Sequence, residues 1–421
     1  MTNLDINKKM EFILNVAQSL AERGATADKI ISHTKLVAAS MQIPAKNFNL
    51  KVMPSVLYLN VFDGEKMNHS FRNYENRGVD MDIVNLISAF TLKAAKKNYT
   101  PQQFQDVLQR IIGRRKIYSP PQVVLATGLF CGALCILFGG DFLAAVYTAV
   151  CAAIGKIFQL KLLKLGVNHF ITTAIAAFTA TAAAYFTHFL PSGTIWIPII
   201  ACALFLIPGI PIINAITESL DGFLLSGMAK AYNSILITIS ITVGIVFSLT
   251  LCAKLEAIDL EQLEQLSNNH FAEILFASII ASTAFSVMLN VPKKILPLMG
   301  IFGATALVTK NFLLFELNFS PDVSVFIAAT LIGILSVKAN QATQAPTQVF
   351  TVPAIIPFVP GVLIYRFLMC CIYIRDMEVE EFFYEFGFGV DALQIIFAMT
   401  IGVTLPNLIA DKFLKKIETQ N

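Results

Sequence analysis

The sequence predicts an all-α polytopic membrane protein: about ten transmembrane helices as two inverted five-helix repeats, preceded by a small α+β cytoplasmic domain. Three observations carry this. Of the 421 residues, 56% are hydrophobic and 14% charged, and the mean hydropathy is +0.67. A soluble domain has about 45–50% and roughly 25%. From Gln122 onward, apolar runs follow one another at close to the about 20 residues that span a bilayer. The fourth run of each set of five also carries the same Pro-Gly interruption. So sparse a charge complement cannot coat a soluble fold, which excludes a soluble enzyme, a disordered chain and a disulfide-stapled secreted domain.

Residues 1–119 read as a separate water-facing domain. Met10, Phe12, Ile13, Leu14, Val16, Ala17 and Leu20 recur at helical spacing, and Gly24 closes that helix. A second helix is expected from Thr26 to Met41, with Pro44 beyond it. The period then changes. "NLKVMP", "SVLYLNVF" and "KMNHSFRNY" read as three short strands, with Asp63-Gly64 as the tight turn between the last two. Two helices follow, near Asp80–Lys97 and Thr100–Gly113, the latter opening on Thr100-Pro101 as N-cap and first helical residue.

The membrane part divides into 120–255 and 270–412. Spans are expected near Gln122–Phe138, Phe142–Phe158, His169–Phe189, Ile195–Ile216 and Ala231–Ala253. After the polar stretch "KLEAIDLEQLEQLSNNH" come Phe271–Leu289, Ile295–Thr309, a short Val323–Val337, Gln348–Cys370 and Gly389–Ile409. Lysine and arginine between spans set the orientation. Thirteen fall on one side (Arg114, Arg115, Lys116, Lys156, Lys161, Lys164, Lys230, Lys293, Lys294, Lys338, Lys412, Lys415, Lys416) and four on the other (Lys254, Lys310, Arg366, Arg375). Both termini are therefore expected in the cytoplasm, with the chain multi-pass in the membrane. No signal peptide is expected, since Met1–Met10 holds Asp5, Lys8 and Lys9 with no apolar stretch behind them.

The first interruption reads Ile207-Pro208-Gly209-Ile210-Pro211 before Asn214. The second reads Pro357-Phe358-Val359-Pro360-Gly361 before Arg366. Each is followed by an acid-containing loop and a fifth span with a Gly-Val pair, at Val243-Gly244 and Gly402-Val403. Five spans return the chain on the opposite side, so two such units must be inverted relative to each other. Paired broken helices in inverted repeats are where secondary transporters hold their substrate. One proline kink means little, but two at matching places favour a functional site. Pro208, Gly209, Asn214, Asn340, Gln341, Gln344, Pro360, Gly361 and Arg366 are thus the substrate-binding candidates, and Glu218 and Asp221 the proton-coupling candidates. Competing readings exist: a solvated loop for Glu218, Asp221 and the Asn340–Gln344 cluster, and an arginine reaching to the outer interface for Arg366. The acidic segment Asp376–Glu381 reads as a solvated face.

The seven cysteines lie in or beside apolar runs and read as small buried hydrophobes; the five histidines are scattered. No metal, catalytic residue or cofactor is expected, and a net charge of +3 without a basic stripe speaks against nucleic acid.

In its order of parts the chain resembles the bacterial threonine/serine exporters. The resemblance rests on Arg77-Gly78-Val79-Asp80 with its following helix, the basic Arg114-Arg115-Lys116, and the breaks "IPGIPIINA" and "IIPFVPGVLIYR". It covers essentially the whole chain. The two membrane blocks also look like the separate subunits of a two-component relative proposed to export succinate, here joined in one polypeptide. The resemblance implies efflux of threonine and serine driven by protons through alternating access, and no GxxxxGK[ST] loop argues for ATP instead. A small amino acid or organic acid, protons and the lipid bilayer are the implied partners, and a homo-oligomer stays open. Two alternatives remain: export of a dicarboxylate such as succinate, and a membrane-anchored enzyme or sensor acting through its N-terminal domain.

Overall fold

The computed structural model describes residues 5–96, 99, 101–192, 194, 196–252, 271–343, 345–374 and 377–418; the polar stretch before residue 271, Arg375 and Asp376 lie outside them. The N-terminal elements follow the sequence reading closely. Helices α1 (Ile6–Ala21) and α2 (Ala27–Ser40) precede β1 (Phe48–Met53), β2 (Val56–Phe62) and β3 (Met67–Asn73), then α3 (Met81–Lys96) and α4 (Pro101–Ile112). The strands form an antiparallel sheet in the order β1-β2-β3, with Phe48 opposite Val61 and Phe62 opposite Met67. Period two explains the sheet: Phe48, Leu50 and Val52 of β1 and Leu57, Leu59 and Val61 of β2 are buried, while the alternate side chains of β1 face out. On the buried face lie the apolar sides of α1 and α2, including Ile13, Leu20 and Ile30, and α3, with Ile87, packs on those helices to complete the core. Phe104 of α4 is fully buried between Phe12 and Phe90.

Among the described residues, twelve further α-helices follow. The first set comprises α5 (Pro120–Leu137), α6 (Phe142–Lys164), α7 (His169–Tyr185), α8 (Ile197–Ala201), α9 (Gly209–Leu220) and α10 (Leu224–Cys252). The second comprises α11 (Phe271–Met288), α12 (Leu296–Asn311), α13 (Pro321–Thr343), α14 (Thr347–Ile355), α15 (Gly361–Tyr373) and α16 (Val379–Glu418). Among the described residues, eight helices are long and apolar enough to cross a membrane, and up to ten spans result if α8–α9 and α14–α15 each count as one bent span.

Three boundaries differ from expectation, each because a helix tolerates polar residues that hydropathy excludes. The eighth span is not short: α13 continues to Thr343 and carries Lys338, Asn340 and Gln341 on its last two turns. Both α10 and α16 begin well before the apolar core of their spans. Lys156, Lys230 and Lys338, counted as loop cations, are helical.

Packing is matched between the sets. Helix α5 packs on α6, α6 on α7, and α7 on α10; likewise α11 on α12, α12 on α13, and α13 on α16, while α5 and α11 join the two sets. Without a hydrophobic drive between helices in lipid, close approach at small residues holds such pairs. A methyl group on Gly244 of α10 would collide with the Ala174 carbonyl and approach Ala177 Cβ and Phe178 N. One on Gly402 of α16 would stand 2.7 Å from the Phe326 carbonyl, near Ala329 Cβ and Thr330 N. The same sequence spacing separates each α7 residue from its α13 counterpart. Gly244→Val and Gly402→Val are therefore expected to cost about 1–3 kcal/mol by overpacking. Lowered melting temperatures in detergent check this, with Gly387→Ala, where a methyl meets nothing within 4 Å, as the unaffected control.

Candidate functional site

Both interruptions have one local cause. Proline has no N–H to donate, and its ring cannot stay in the helical register. In each break a 3-10 turn, Leu204–Leu206 or Ile356–Phe358, leads into an inverse γ-turn centred on proline. Pro208 has φ −77° and ψ 56°, and Pro360 has φ −77° and ψ 65°. Gly209 N–H donates to the Ile207 carbonyl at 2.8 Å, and Gly361 N–H to the Val359 carbonyl at 2.7 Å. The chain bends by 56° at the first break and 61° at the second. The breaks also cross each other reciprocally. A methyl on Gly209 would stand 2.6 Å from Ile356 Cδ1, and one on Gly361 2.9 Å from Leu204 Cδ2. Leu204 and Ile356 hold equivalent places before their glycines. Between the breaks lies a void of about 20 Å³ with an all-apolar lining that includes Phe130, Phe285, Ile207 and Val359.

The roomier polar space lies beside the N-terminal region, at the far end of α9 from the break. A cavity of about 380 Å³ is lined by Asn214, Thr217 and Asp221 of α9, Thr347, Gln348 and Thr351 of α14, and Thr404 and Asn407 of α16. Thr26, Asp28 and Lys29 of the N-terminal region complete the wall. Asn214 and Glu218 are four residues apart on one face of α9. Glu218 is wholly buried; its Oε1 accepts from the Ala27 N–H at 2.8 Å and pairs with Lys230 of α10, while Oε2 has no hydrogen-bond partner among the described residues. Asn214 Nδ2 donates to the Gly24 carbonyl at 3.3 Å, and Gln348 Nε2 to Thr26 Oγ1 at 3.2 Å.

The Arg77–Asp80 segment braces this seam. Arg77 pairs with Glu22, the Arg77 and Asp80 N–H groups donate to the Glu22 and Arg23 carbonyls, and Val79 packs on Gly24. A second seam joins Asp80 Oδ1 to Asn290 Nδ2 at 2.8 Å, the Met81 N–H to the Leu289 carbonyl, and the Tyr118 hydroxyl to the Val291 carbonyl. Burial there pushes the Asp82 carboxyl above its usual range, against the pull of Arg114. Burial, with the Asp82 charge, pushes the Tyr118 phenol to about 12.

The sequence-predicted residues thus separate into groups. Asn214 and Asp221 line the cavity, with Glu218 buried on the same helix; Pro208, Gly209, Pro360 and Gly361 shape the crossing instead. Asn340 turns back to the Ala345 carbonyl at 2.7 Å, Gln341 is exposed, and Gln344 lies outside the described residues. Arg366 does not reach to an interface. Its Nε donates to Glu385 Oε2 at 3.0 Å, a second nitrogen pairs with Oε1, and its guanidinium lies 3.9 Å from the Phe388 ring centroid. Sequence reasoning missed Gln348, Thr351, Thr404 and Asn407, which sit inside stretches read as apolar spans, and Glu385, which falls between the acidic segment and the expected tenth span. It also missed Lys156, whose Nζ bonds Gln159 and lies 5.7 Å from the centre of the Phe205 ring, beside the first break.

Comparison with known proteins decides the family. A profile described as "Putative threonine/serine exporter" matches residues 11–252, and one described as "Threonine/Serine exporter, ThrE" matches residues 274–409. The chain belongs to the threonine/serine exporter family. It is a multi-pass membrane transporter, not an enzyme, with both halves of the family in one polypeptide. Among curated relatives it is similar to the "Probable succinate transporter subunit YjjP" of Klebsiella aerogenes, 27% identical over 200 residues (47% of this chain, 76% of the relative). The protein of that name from Escherichia coli K12 is 26% identical over 200 residues (47% and 77%). An uncharacterized Haemophilus influenzae protein is 32% identical over 139 residues (32% and 46%). No solved structure matches the chain.

In this exporter-family member, removing one partner of the buried Arg366–Glu385 pair should cost about 3–5 kcal/mol, since it strands a charge. Replacing both with apolar residues should cost far less. Glu385→Ala is expected to lower the detergent melting temperature clearly more than Arg366→Met with Glu385→Leu; equal losses would show that the charge pairing is immaterial.

Proposed function

We propose that the protein exports threonine and serine from the cytoplasm across the bacterial inner membrane by proton-coupled alternating access. In this reading residues 1–119 form a cytoplasmic domain, and 120–255 and 270–412 are inverted repeats whose breaks form the pivot. The observation that carries the reading is the cavity beneath the crossed breaks. Amide and hydroxyl groups of Asn214, Thr217, Gln348, Thr351, Thr404 and Asn407 are set among apolar side chains on the transmembrane side of its wall, with a buried acid behind them. Such a wall suits a small zwitterion bearing a hydroxyl. The N-termini of α9 and α15 open at the breaks and add the dipole field that receives a carboxylate on its way through. Asp28 and Asp221 at the cavity outnumber the lysine beside them, Lys29, and so disfavour a dicarboxylate. The arginine best suited to a second carboxylate, Arg366, is already held by Glu385.

Glu218 is the proton carrier in this mechanism, with Asp221 as the second acid. Protonation of Glu218 releases Lys230 and weakens the bond to Ala27, which links proton uptake to movement at the cavity mouth. The deciding assay is counterflow in proteoliposomes across amino acids and organic acids, with and without a proton gradient. Threonine and serine are expected to exchange and succinate is not; the opposite preference selects the dicarboxylate reading. Glu218→Gln should abolish acceleration of efflux by a proton gradient, and retained wild-type pH dependence in both Glu218→Gln and Asp221→Asn would remove these acids from the coupling step. Replacing Pro208-Gly209 or Pro360-Gly361 with Ala-Ala should abolish efflux while insertion stays normal. Undiminished efflux would reduce the breaks to passive kinks.

A further inference from the structure

The turn between α1 and α2 enters the cavity wall in an unusual way. Thr26 occupies the N-cap position of α2, yet its hydroxyl makes no bond to its own helix. That hydroxyl, on a residue only 3% exposed, accepts from Gln348 instead. The Ala27 N–H, one of the donors left open at a helix start, is taken by Glu218. The Gly24 carbonyl, in a turn that needs φ +85°, accepts from Asn214. Three side chains of the transmembrane helices therefore meet three different groups of the turn: a carbonyl oxygen, a hydroxyl oxygen and an N–H. A free β-hydroxy-α-amino acid presents the same three as carboxylate, hydroxyl and ammonium. A separate observation points to a ligand beyond the turn: Glu218 is fully buried, and its Oε2 finds no donor among the described residues. A buried acceptor in that state is costly unless something occupies it during the cycle.

We infer that Gly24–Ala27 is a built-in competitor of the substrate, seated in the subsite of Asn214, Glu218 and Gln348, and that Gln348 reads the substrate's hydroxyl. The inference deepens the proposed function and rests on it for the substrate class. The N-terminal region then acts as a plug. Substrate gains the mouth by displacing the turn, so filling the site and unlocking the region are one event. The Arg77–Asp80 brace keeps the turn in shape, while Gln348, as a specificity residue, rejects analogues that leave its amide unpaired.

Two readouts on the full-length chain test this. Thr217 lines the cavity, so Thr217→Cys in membrane vesicles exposing the N-terminal region is treated with an impermeant maleimide and read at that residue by peptide mass. Adding Thr26→Val should raise the labelling rate several-fold, and Thr26→Ser, which keeps the hydroxyl, should restore the slow rate. Equal rates with Val and Ser overturn the plug. In counterflow, Thr26→Val should lower half-saturation by threonine several-fold. Gln348→Leu breaks the same bond to the turn but also removes the partner of the substrate's hydroxyl, so it should lower half-saturation for 2-aminobutyrate, which lacks the hydroxyl, and not for threonine and serine; equal changes for all three overturn the assignment of Gln348. If the wild-type protein exchanges no amino acid, the proposed function and the role of Gln348 fail together, while the labelling still decides the plug.

Discussion

Hydrocarbon offers no partner to a peptide group, and an unpaired one there costs several kcal/mol. That constraint governs the two proline breaks, on which the rest of the membrane part depends. Removing a helical hydrogen bond is tolerable only if the neighbouring N–H groups find acceptors close by. Here Ile207 donates to Leu204 and Gly209 to Ile207, and Val359 and Gly361 repeat the pattern with Ile356 and Val359. The tight turn also places a glycine where the other break must pass. Chain bonding and mutual packing are thus one solution, and it appears twice. A longer side chain at Gly209 or Gly361 would push the crossing apart and expose the backbone that the crossing shields.

The second constraint is Glu218. A buried carboxylate must be paired, and this one draws its partners from α10 and from the start of α2. Those bonds tie the N-terminal region to the helix that emerges from the first break. Movement of α9 therefore cannot leave the region where it is. The second seam, through Asp80 and Asn290, attaches the same region at the end of α11. The N-terminal region consequently bridges both sets of helices, which the sequence gives no means to foresee.

Much of the fold was legible because its signals are local. The apolar period of α1, the alternation in β1 and β2, the Asp63-Gly64 turn and the Pro-Gly breaks each declare themselves within a few residues. Asn214, Asp221 and Glu218 were legible for a related reason, being polar groups just past a break. Gln348, Thr351, Thr404 and Asn407 were not: scattered one by one through apolar runs, they acquire meaning only when α14 and α16 bring them opposite α9. Arg366 shows the complementary failure. Its partner Glu385 falls between the acidic segment Asp376–Glu381 and the expected tenth span, outside both, and the early start of α16 carries that acid into contact.

The matched construction makes the differences between the halves informative. Asn214 and Arg366 stand the same distance beyond Gly209 and Gly361, yet they meet opposite surroundings. The first faces a polar cavity whose wall the N-terminal region completes. The second is locked to Glu385 and covered by Phe388. A desolvated bidentate pair holds its geometry firmly and opens slowly, whereas neutral amides around a cavity exchange partners at little cost. On the alternating-access reading, the half bearing Asn214 is therefore the accessible one in this conformation and the half bearing Arg366 the sealed one. Reaching the opposite state requires the Arg366–Glu385 pair to part. On the proposed proton-coupled mechanism, the energy to part this buried ion pair comes from the step that releases Glu218, and the two acids, one beyond each break, are then the ends of the coupling between proton and cargo.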